Sequence, residues 1–414
     1  MISIKPIYLR YKTIIDNFFS LIVLNVVNYV FPIIIIPILM KRLGVEVYGK
    51  YIFAFTILNY LNLLVQYGFN FSATHKIAKY QYNREIISDT YTSISIIRIA
   101  FSIIVTTLLL GAGFFMDDLV LYLLGIGIYF GQGIIPVWLF QGLEKMKYIT
   151  LVNTLVRLLA FIAIFFLIQQ SSDVNKLMLI QTLSFIIGGI ASLVLVKYEL
   201  KINFVKPSLQ SIILNLKEGW SLFLSTIGMN LYRESNVIIL GLVAGYSTVG
   251  LYSPAEKLIK GIQSFTNIMV TALYPHFSKR MKDNQSQYIG DFFKIAQWLW
   301  ILFSIGTVAI IFSSTMIIDL YIGKGHTTTI IDFRILSLVI LFGGLNYYYG
   351  IVGLVNLNKK TLFNRLVWIS GMIGMIMSFI LSYYMKDIGA AISMVFAEGL
   401  LLYLIMKKIK VEIS

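Results

Sequence analysis

Apolar runs of about 20 residues, enough to cross roughly 30 Å of hydrocarbon as a helix, recur along this chain from end to end. In lipid every backbone N–H and C=O must be satisfied internally, which leaves helices or closed barrels. The runs are continuous rather than alternating, so helices are expected. Charged residues make up 13% of the chain, about half the share of a soluble domain. The expected fold class is an all-α polytopic membrane protein. Twelve transmembrane spans are expected, near 18–40, 51–69, 93–115, 119–141, 151–170, 177–197, 220–243, 255–277, 295–317, 333–355, 363–384 and 388–406.

The N-terminal "MISIKPIYLRYK" is basic but has neither a short apolar core nor a small-residue cleavage site, so no cleavable signal is expected. The chain has no cysteine, which excludes disulfides, thiolate chemistry and cysteine–zinc sites. Its formal net charge is +15. The basic residues are dispersed between spans, which fits loops retained in the cytoplasm better than nucleic-acid binding. With the N-terminus inside, the inner segments hold about three times as many basic residues as the outer ones. Lys76, Lys79, Arg84, Lys197, Lys201, Lys206, Lys217, Lys279, Arg280 and Lys282 are among them. Both termini are expected to be cytoplasmic.

The chain also repeats itself. "GVEVYGKY" (Gly44 to Tyr51) follows the first span and "GYSTVGLY" (Gly245 to Tyr252) the seventh, with Gly44, Gly49 and Tyr51 matching Gly245, Gly250 and Tyr252 at one constant offset. Six spans lie between the copies, so both point the same way through the membrane. Parallel-repeat transporters are built like this, although ordinary hairpin turns would also account for the match. Two six-helix lobes, 1–205 and 206–414, are expected around a central cavity.

Polar residues inside the spans narrow the function. Asn25, Asn28 and Pro32 share one helical face, as do Asn59, Asn62 and Gln66 in the second span. The seventh span carries Asn230, Arg233 and Asn236, and the eighth Glu256, Lys260, Gln263 and Asn267. Single amides serve as glue between helices, but four one-sided stripes in matching spans point to a water-filled cavity. Amides and tyrosines suit sugar hydroxyls. Arg98 and Arg157 either snorkel to the inner interface or line that cavity. Arg233 is too deep to snorkel. A charge at mid-bilayer costs about 2.5–3.5 kcal/mol on the lenient scale, so Arg233 requires either a carboxylate such as Glu256 or Glu398, or an anionic substrate. Adjacent Glu234 does not face it. A guanidinium fork suits phosphate oxygens.

Four segments complete the pattern. "NYVFPIIIIPILMKRLGVEVYGKYIFAFTILNYLNLLVQYGFNFSATHKIAK" (Asn28 to Lys79), "PVWLFQGLEKMKYIT" (Pro136 to Thr150), and "SNVIILGLVAGYSTVGLYSPAEKLIKGIQ" (Ser235 to Gln263) with "ALYPHFSK" (Ala272 to Lys279) resemble the Wzx-type O-antigen flippases. These are polysaccharide exporters of the superfamily that also holds MATE drug exporters and lipid II flippases. The resemblance implies two six-helix lobes around a cationic cavity. It also implies alternating access that carries an undecaprenyl-diphosphate-linked O-antigen repeat unit to the periplasmic leaflet of the bacterial inner membrane. Arg98, Arg157, Arg233, Lys260, Glu234 and Glu256 are the positions here suited to the transport-linked charges of such proteins.

The expected partners are therefore the lipid-linked oligosaccharide and membrane lipids, with a polysaccharide polymerase and a chain-length regulator as candidates. No nucleic acid, cofactor or metal is expected. A proton or sodium gradient is the candidate energy source, with Glu234, Glu256 and Glu398 as coupling groups. Two alternatives stay open: a MATE-type drug exporter, and a flippase for capsule, teichuronic acid or lipid II. An enzyme is disfavoured, because there is no HExxH and no Walker A lysine motif. "GIGIYFGQG" (Gly125 to Gly133) imitates a nucleotide fingerprint but lies inside a span, where Gly127 and Gly131 suit close helix packing.

Overall fold

The computed structural model describes the backbone of residues 4–113 and 117–413. Within it, the side chains of 4–19, 21, 22, 25, 225, 229, 231–233, 275, 282, 286 and 413 lie outside the described residues. The chain is helical almost throughout, with no strand among the described residues. The helices are α1 (Ile4–Leu43), α2 (Val45–Gln66), α3 (Phe69–Lys79), α4 (Arg84–Ala112), α5 (Leu119–Leu124), α6 (Ile126–Ile134), α7 (Val137–Gly142), α8 (Met146–Leu167) and α9 (Val174–Tyr198). They continue as α10 (Leu209–Ala244), α11 (Tyr246–Asp283), α12 (Gln285–Ile322), α13 (Thr327–Leu336), α14 (Leu338–Tyr347), a π-helix (Tyr348–Val355) and α15 (Lys360–Ile413). Among the described residues, 9 helical stretches are long and apolar enough to cross a membrane. This is the expected all-α polytopic membrane fold.

Local chemistry sets the boundaries. Gly44 and Gly245 end α1 and α10 at φ of 81° and 84°, a left-handed conformation that glycine adopts without a Cβ penalty. Asn83 caps α4 by accepting from the Ile86 N–H (3.1 Å), and Asn284 caps α12 by accepting from the Gln287 N–H (3.1 Å). The expected turn between the last two spans is a break within α15 at Lys386, where φ is 54° and ψ is −127°.

Three elements depart from expectation. The span placed at 119–141 is three short helices, broken at Gly125 and again at Ile135–Pro136. Proline has no N–H to donate and forces the residue before it out of the helical region; Ile135 has ψ of 110°. Much of the expected connections 198–219 and 278–294 is helical, because α10 begins at Leu209 and α11 runs to Asp283. The α8 helix begins at Met146, several residues earlier than its span.

The chain divides into two compact units, Met1–Phe31 with Ala54–Ile227, and Pro32–Phe53 with Gly228–Ser414. The first has a core of Phe69, Ile77, Tyr91, Trp138, Phe140 and Ile149. In it α6 lies close against α9: a Cβ on Gly131 would meet the Phe185 backbone, and one on Gly127 would meet Thr182 and Ile186. The fingerprint-like glycines are thus packing glycines. The second unit is built on an aromatic stack in which Phe292 and Tyr348 lie 5.0 Å apart, with Phe277 and Tyr288 around them.

Within the second unit the two repeat copies meet. A Cβ on Gly49 would run into the Tyr246 carbonyl, and a Cβ on Gly250 into the Val45 carbonyl. Those four residues are equivalent in pairs under the repeat offset, so the contact is reciprocal. Tyr51 and Tyr252 are both buried, and the Ser253 hydroxyl donates to Tyr48 Oη at 3.3 Å.

Candidate functional site: buried cations in each unit

The first unit holds two arginines at mid-depth. Arg98 is the midpoint of α4, with roughly 20 Å of helix on either side, and is 1% exposed. Its Nη1 donates to the carbonyls of Gly133 (3.4 Å) and Ile135 (3.2 Å). Its Nη2 donates to Gln66 Oε1 (2.7 Å) and Asn70 Oδ1 (3.1 Å). The break at Pro136 leaves the last carbonyls of α6 without intrahelical donors, and the guanidinium supplies them. All four acceptors are neutral.

From Arg98 a ladder of amides runs along α2. Gln66 Nε2 donates to the Gln132 carbonyl (3.2 Å), Asn62 Nδ2 to Gln132 Oε1 (2.8 Å), and Gln132 Nε2 to Asn59 Oδ1 at the limit of 3.5 Å. The structure thus joins the Asn59–Asn62–Gln66 stripe to Arg98. Gln132 was not anticipated from the sequence, although a lone glutamine between the glycines of an apolar run was a readable signal.

Arg157 is different. It sits at the centre of α8, with roughly 15 Å of helix on either side, too far for its side chain to reach either end. It is mostly buried, and no hydrogen-bond or ion-pair partner is found for it among the described residues. One turn earlier, the buried Thr154 Oγ1 also lacks a partner. The Thr150 hydroxyl donates to the Ser20 carbonyl of α1 at 3.1 Å, and Phe161 meets Phe31 edge-on at 6.1 Å. Both contacts span 130 residues of sequence, so α1 and α8 run parallel in constant register. That register sets Arg157 level with Val27 and Asn28. The Asn25 side chain lies outside the described residues.

The second unit treats its lysine in the opposite way. Lys260 Nζ lies 3.0 Å from Glu234 Oε1 and 3.1 Å from Glu256 Oε1, one turn back on α11. Glu256 is fully buried, whereas the Glu234 side chain is 34% exposed. The structure brings together three of the expected residues here. The Arg233 side chain lies outside the described residues, and Asn230 is half-buried on α10.

Elsewhere in this unit Glu398 is 1% exposed, and its Oε2 accepts from Asn346 Nδ2 at 2.6 Å. Gln263 lies nearby, its Nε2 against Gly343. Asn267 Oδ1 is buried without a hydrogen bond. Asn236 Nδ2 reaches the Ala390 carbonyl at 3.4 Å. The sequence reading passed over Asn346, and also the buried neighbours Asp332 and Asp387. Both aspartates fall between the expected spans.

The family described as "Polysaccharide biosynthesis protein" matches residues 14–281. The chain belongs to that family. Among its relatives is an Escherichia coli (strain K12) protein provisionally named an O-antigen transporter, 28% identical over 93% of this chain and 94% of the relative. A similarly named protein of Shigella dysenteriae is 27% identical over 95% of this chain and 99% of its own length. Solved structures share the fold of this family member. The lipid II flippase MurJ in an inward closed conformation superposes with a TM-score of 0.70 at 14% identity, covering 97% of this chain and 87% of that one. An inward-facing multidrug MATE transporter of the MOP superfamily gives 0.70 at 11% identity, covering 94% of each chain.

Proposed function

We propose that this chain is a flippase carrying an undecaprenyl-diphosphate-linked O-antigen repeat unit from the cytoplasmic to the periplasmic leaflet of a bacterial inner membrane by alternating access. The chain is a transporter rather than an enzyme, in keeping with its family and with the transporters that share its fold. The observation that carries the cargo reading is Arg157, a mid-membrane guanidinium with no protein partner among the described residues. A diphosphate crossing hydrocarbon unaided would lose its hydration at prohibitive cost. A guanidinium fork replaces part of it, and the amides of the first unit suit the attached sugars.

The same observation favours an anionic glycan carrier over a cationic drug, since nothing in the first unit's described interior offsets Arg98 or Arg157. Termini in the cytoplasm and six-helix halves at 1–205 and 206–414 belong to the same reading, supported by the distribution of lysines and by the reciprocal Gly49–Gly250 contact.

The test is a deletion strain complemented with variants. Loss of the chain removes surface polysaccharide, and the lipid-linked unit accumulates on the cytoplasmic leaflet. Arg157→Ala lowers display roughly tenfold to a hundredfold at unchanged protein level, the value of a lost charge-assisted bond. Arg233→Ala is expected to do likewise. Full display by Arg157→Ala at wild-type abundance would end the cargo reading.

A further inference from the structure

Three membrane-crossing stretches of the first unit have ends that meet at its surface. They are 45–79, 84–112 and 171–198, so the α3–α4 turn and the end of α9 lie where helix leaves hydrocarbon. Arg84 Nη1 donates to the Lys201 carbonyl at 2.9 Å, which sets the two at one level. The non-helical stretch 201–208 is then fastened to α4, where the Val205 N–H donates to Thr92 Oγ1 at 3.1 Å. Beside this junction the turn forms an open notch of about 470 Å³ lined by Lys79, Tyr80, Tyr82, Asn83 and Arg84. The cargo reading, which rests on the mid-membrane arginines, makes no use of it.

The positive charge here is not answered by acid. No ion pair is found among the described residues for Lys79, Arg84, Lys197 or Lys201. Lys79 Nζ lies 5.3 Å from the centre of the Tyr80 ring, and Lys197 Nζ 5.5 Å from that of Tyr198. A guanidinium has five N–H donors, and the Lys201 carbonyl is the acceptor found for Arg84 among the described residues. Neighbouring acids are committed elsewhere: Asp89 accepts from the Ser211 hydroxyl and Glu199 from the Tyr148 hydroxyl. Glu85 is the exposed exception, in the first turn of α4, and it leaves the cations in excess. Asn83 spends its Oδ1 on the Ile86 N–H, which leaves its amide nitrogen as a donor. Exposed rings stand at the same helix ends: Tyr82 is 92% exposed and Tyr198 68%.

We propose that this notch binds the headgroup of an anionic phospholipid, of the phosphatidylglycerol class, from the leaflet that it faces. Basic groups at a membrane surface attract anionic lipids, and each adds to the attraction. The Arg84 fork matches phosphate oxygens in a way that a lysine does not. A zwitterionic headgroup carries its own cation, which the excess of lysine and arginine repels. A tyrosine ring belongs at headgroup depth, with its apolar body toward the acyl chains and its hydroxyl toward water. A soluble anion would have no use for the exposed rings.

The site is tested on purified full-length protein in a neutral detergent without any glycan, so its failure leaves the flippase reading untouched. Phosphatidylglycerol is titrated against phosphatidylcholine of the same acyl chains, reading the lipid retained in native mass spectra and the thermal unfolding midpoint. The wild type retains phosphatidylglycerol in preference, and its midpoint rises saturably, as any ligand of the native state produces. Lys79→Gln combined with Arg84→Gln weakens retention roughly twentyfold, about fivefold for each cation removed. Lys407→Gln combined with Lys408→Gln, an exposed pair in the second unit, leaves retention at the wild-type level. Arg84→Lys keeps the charge without the fork and falls between the two. Should the first double variant fail to fold, Lys79→Gln alone decides, since it leaves the Arg84–Lys201 bond in place. Equal retention of the two lipids by the wild type overturns the site, as does an equal loss in the Lys407 and Lys408 pair. A midpoint raised as far by inorganic phosphate as by phosphatidylglycerol assigns the notch to a soluble anion and overturns it too.

Discussion

Each unit buries a cation within a helix, and the two handle the cost in opposite ways. In the first, Arg98 donates only to neutral oxygens and Arg157 has no protein partner among the described residues. In the second, Lys260 lies between two carboxylates. Burying an ion costs several kcal/mol unless it is compensated. The second unit compensates internally and, among the described residues, ends with more acid than base around Lys260. Among the described residues the first leaves positive charge unbalanced, a condition that a visiting anion would relieve. Arg98 and Arg157 also differ from each other: one is held by two carbonyls of a broken helix and two side-chain amides, the other has no partner among the described residues.

The comparison is broken or sharpened by variants, largest effect first. Lys260→Met strands Glu256 in the interior and is expected to destabilise the protein by about 3–5 kcal/mol, read as a lowered unfolding midpoint. Adding Glu256→Gln to that variant recovers a large part of the loss, and no recovery would show that the pair is not the compensating unit. Arg98→Ala leaves the Gly133 and Ile135 carbonyls without their donor. It costs about 1–3 kcal/mol, and it lowers stability and display together. Arg157→Ala, by contrast, leaves the midpoint within about 0.5 kcal/mol of wild type while display falls. If Arg157→Ala unfolds the protein, the contrast between the two arginines collapses. Asn59→Ala is the smallest change, about 0.6 kcal/mol, the average for a membrane amide bond.

Much of the fold was legible in the sequence because lipid enforces it. Apolar length marks the spans, and Lys386 in "YYMKDIG" interrupts the run where the last two helices part. The match between 44–51 and 245–252 was legible from three residues at one offset, although nothing in them says that the two segments touch. Harder to see was the broken span at 119–142. Pro136 announces one interruption, but the freed carbonyls find donors in Arg98 and Gln66, which are supplied by other helices. Spacing placed Asn59, Asn62 and Gln66 on one face, yet their connection through Gln132 is a tertiary fact. Asn346, Asp332 and Asp387 escaped because each stands alone in its segment, and only the packing of distant helices gives such residues neighbours.

The mutual contact of Gly49 and Gly250 ties the fates of the two copies together. Each copy's missing side chain is the room occupied by the other's main chain. Even a single methyl group at either glycine would therefore displace both turns at once. Sequence drift in one of the matched segments is constrained by the shape of the other, and an engineer wishing to alter one must redesign its twin.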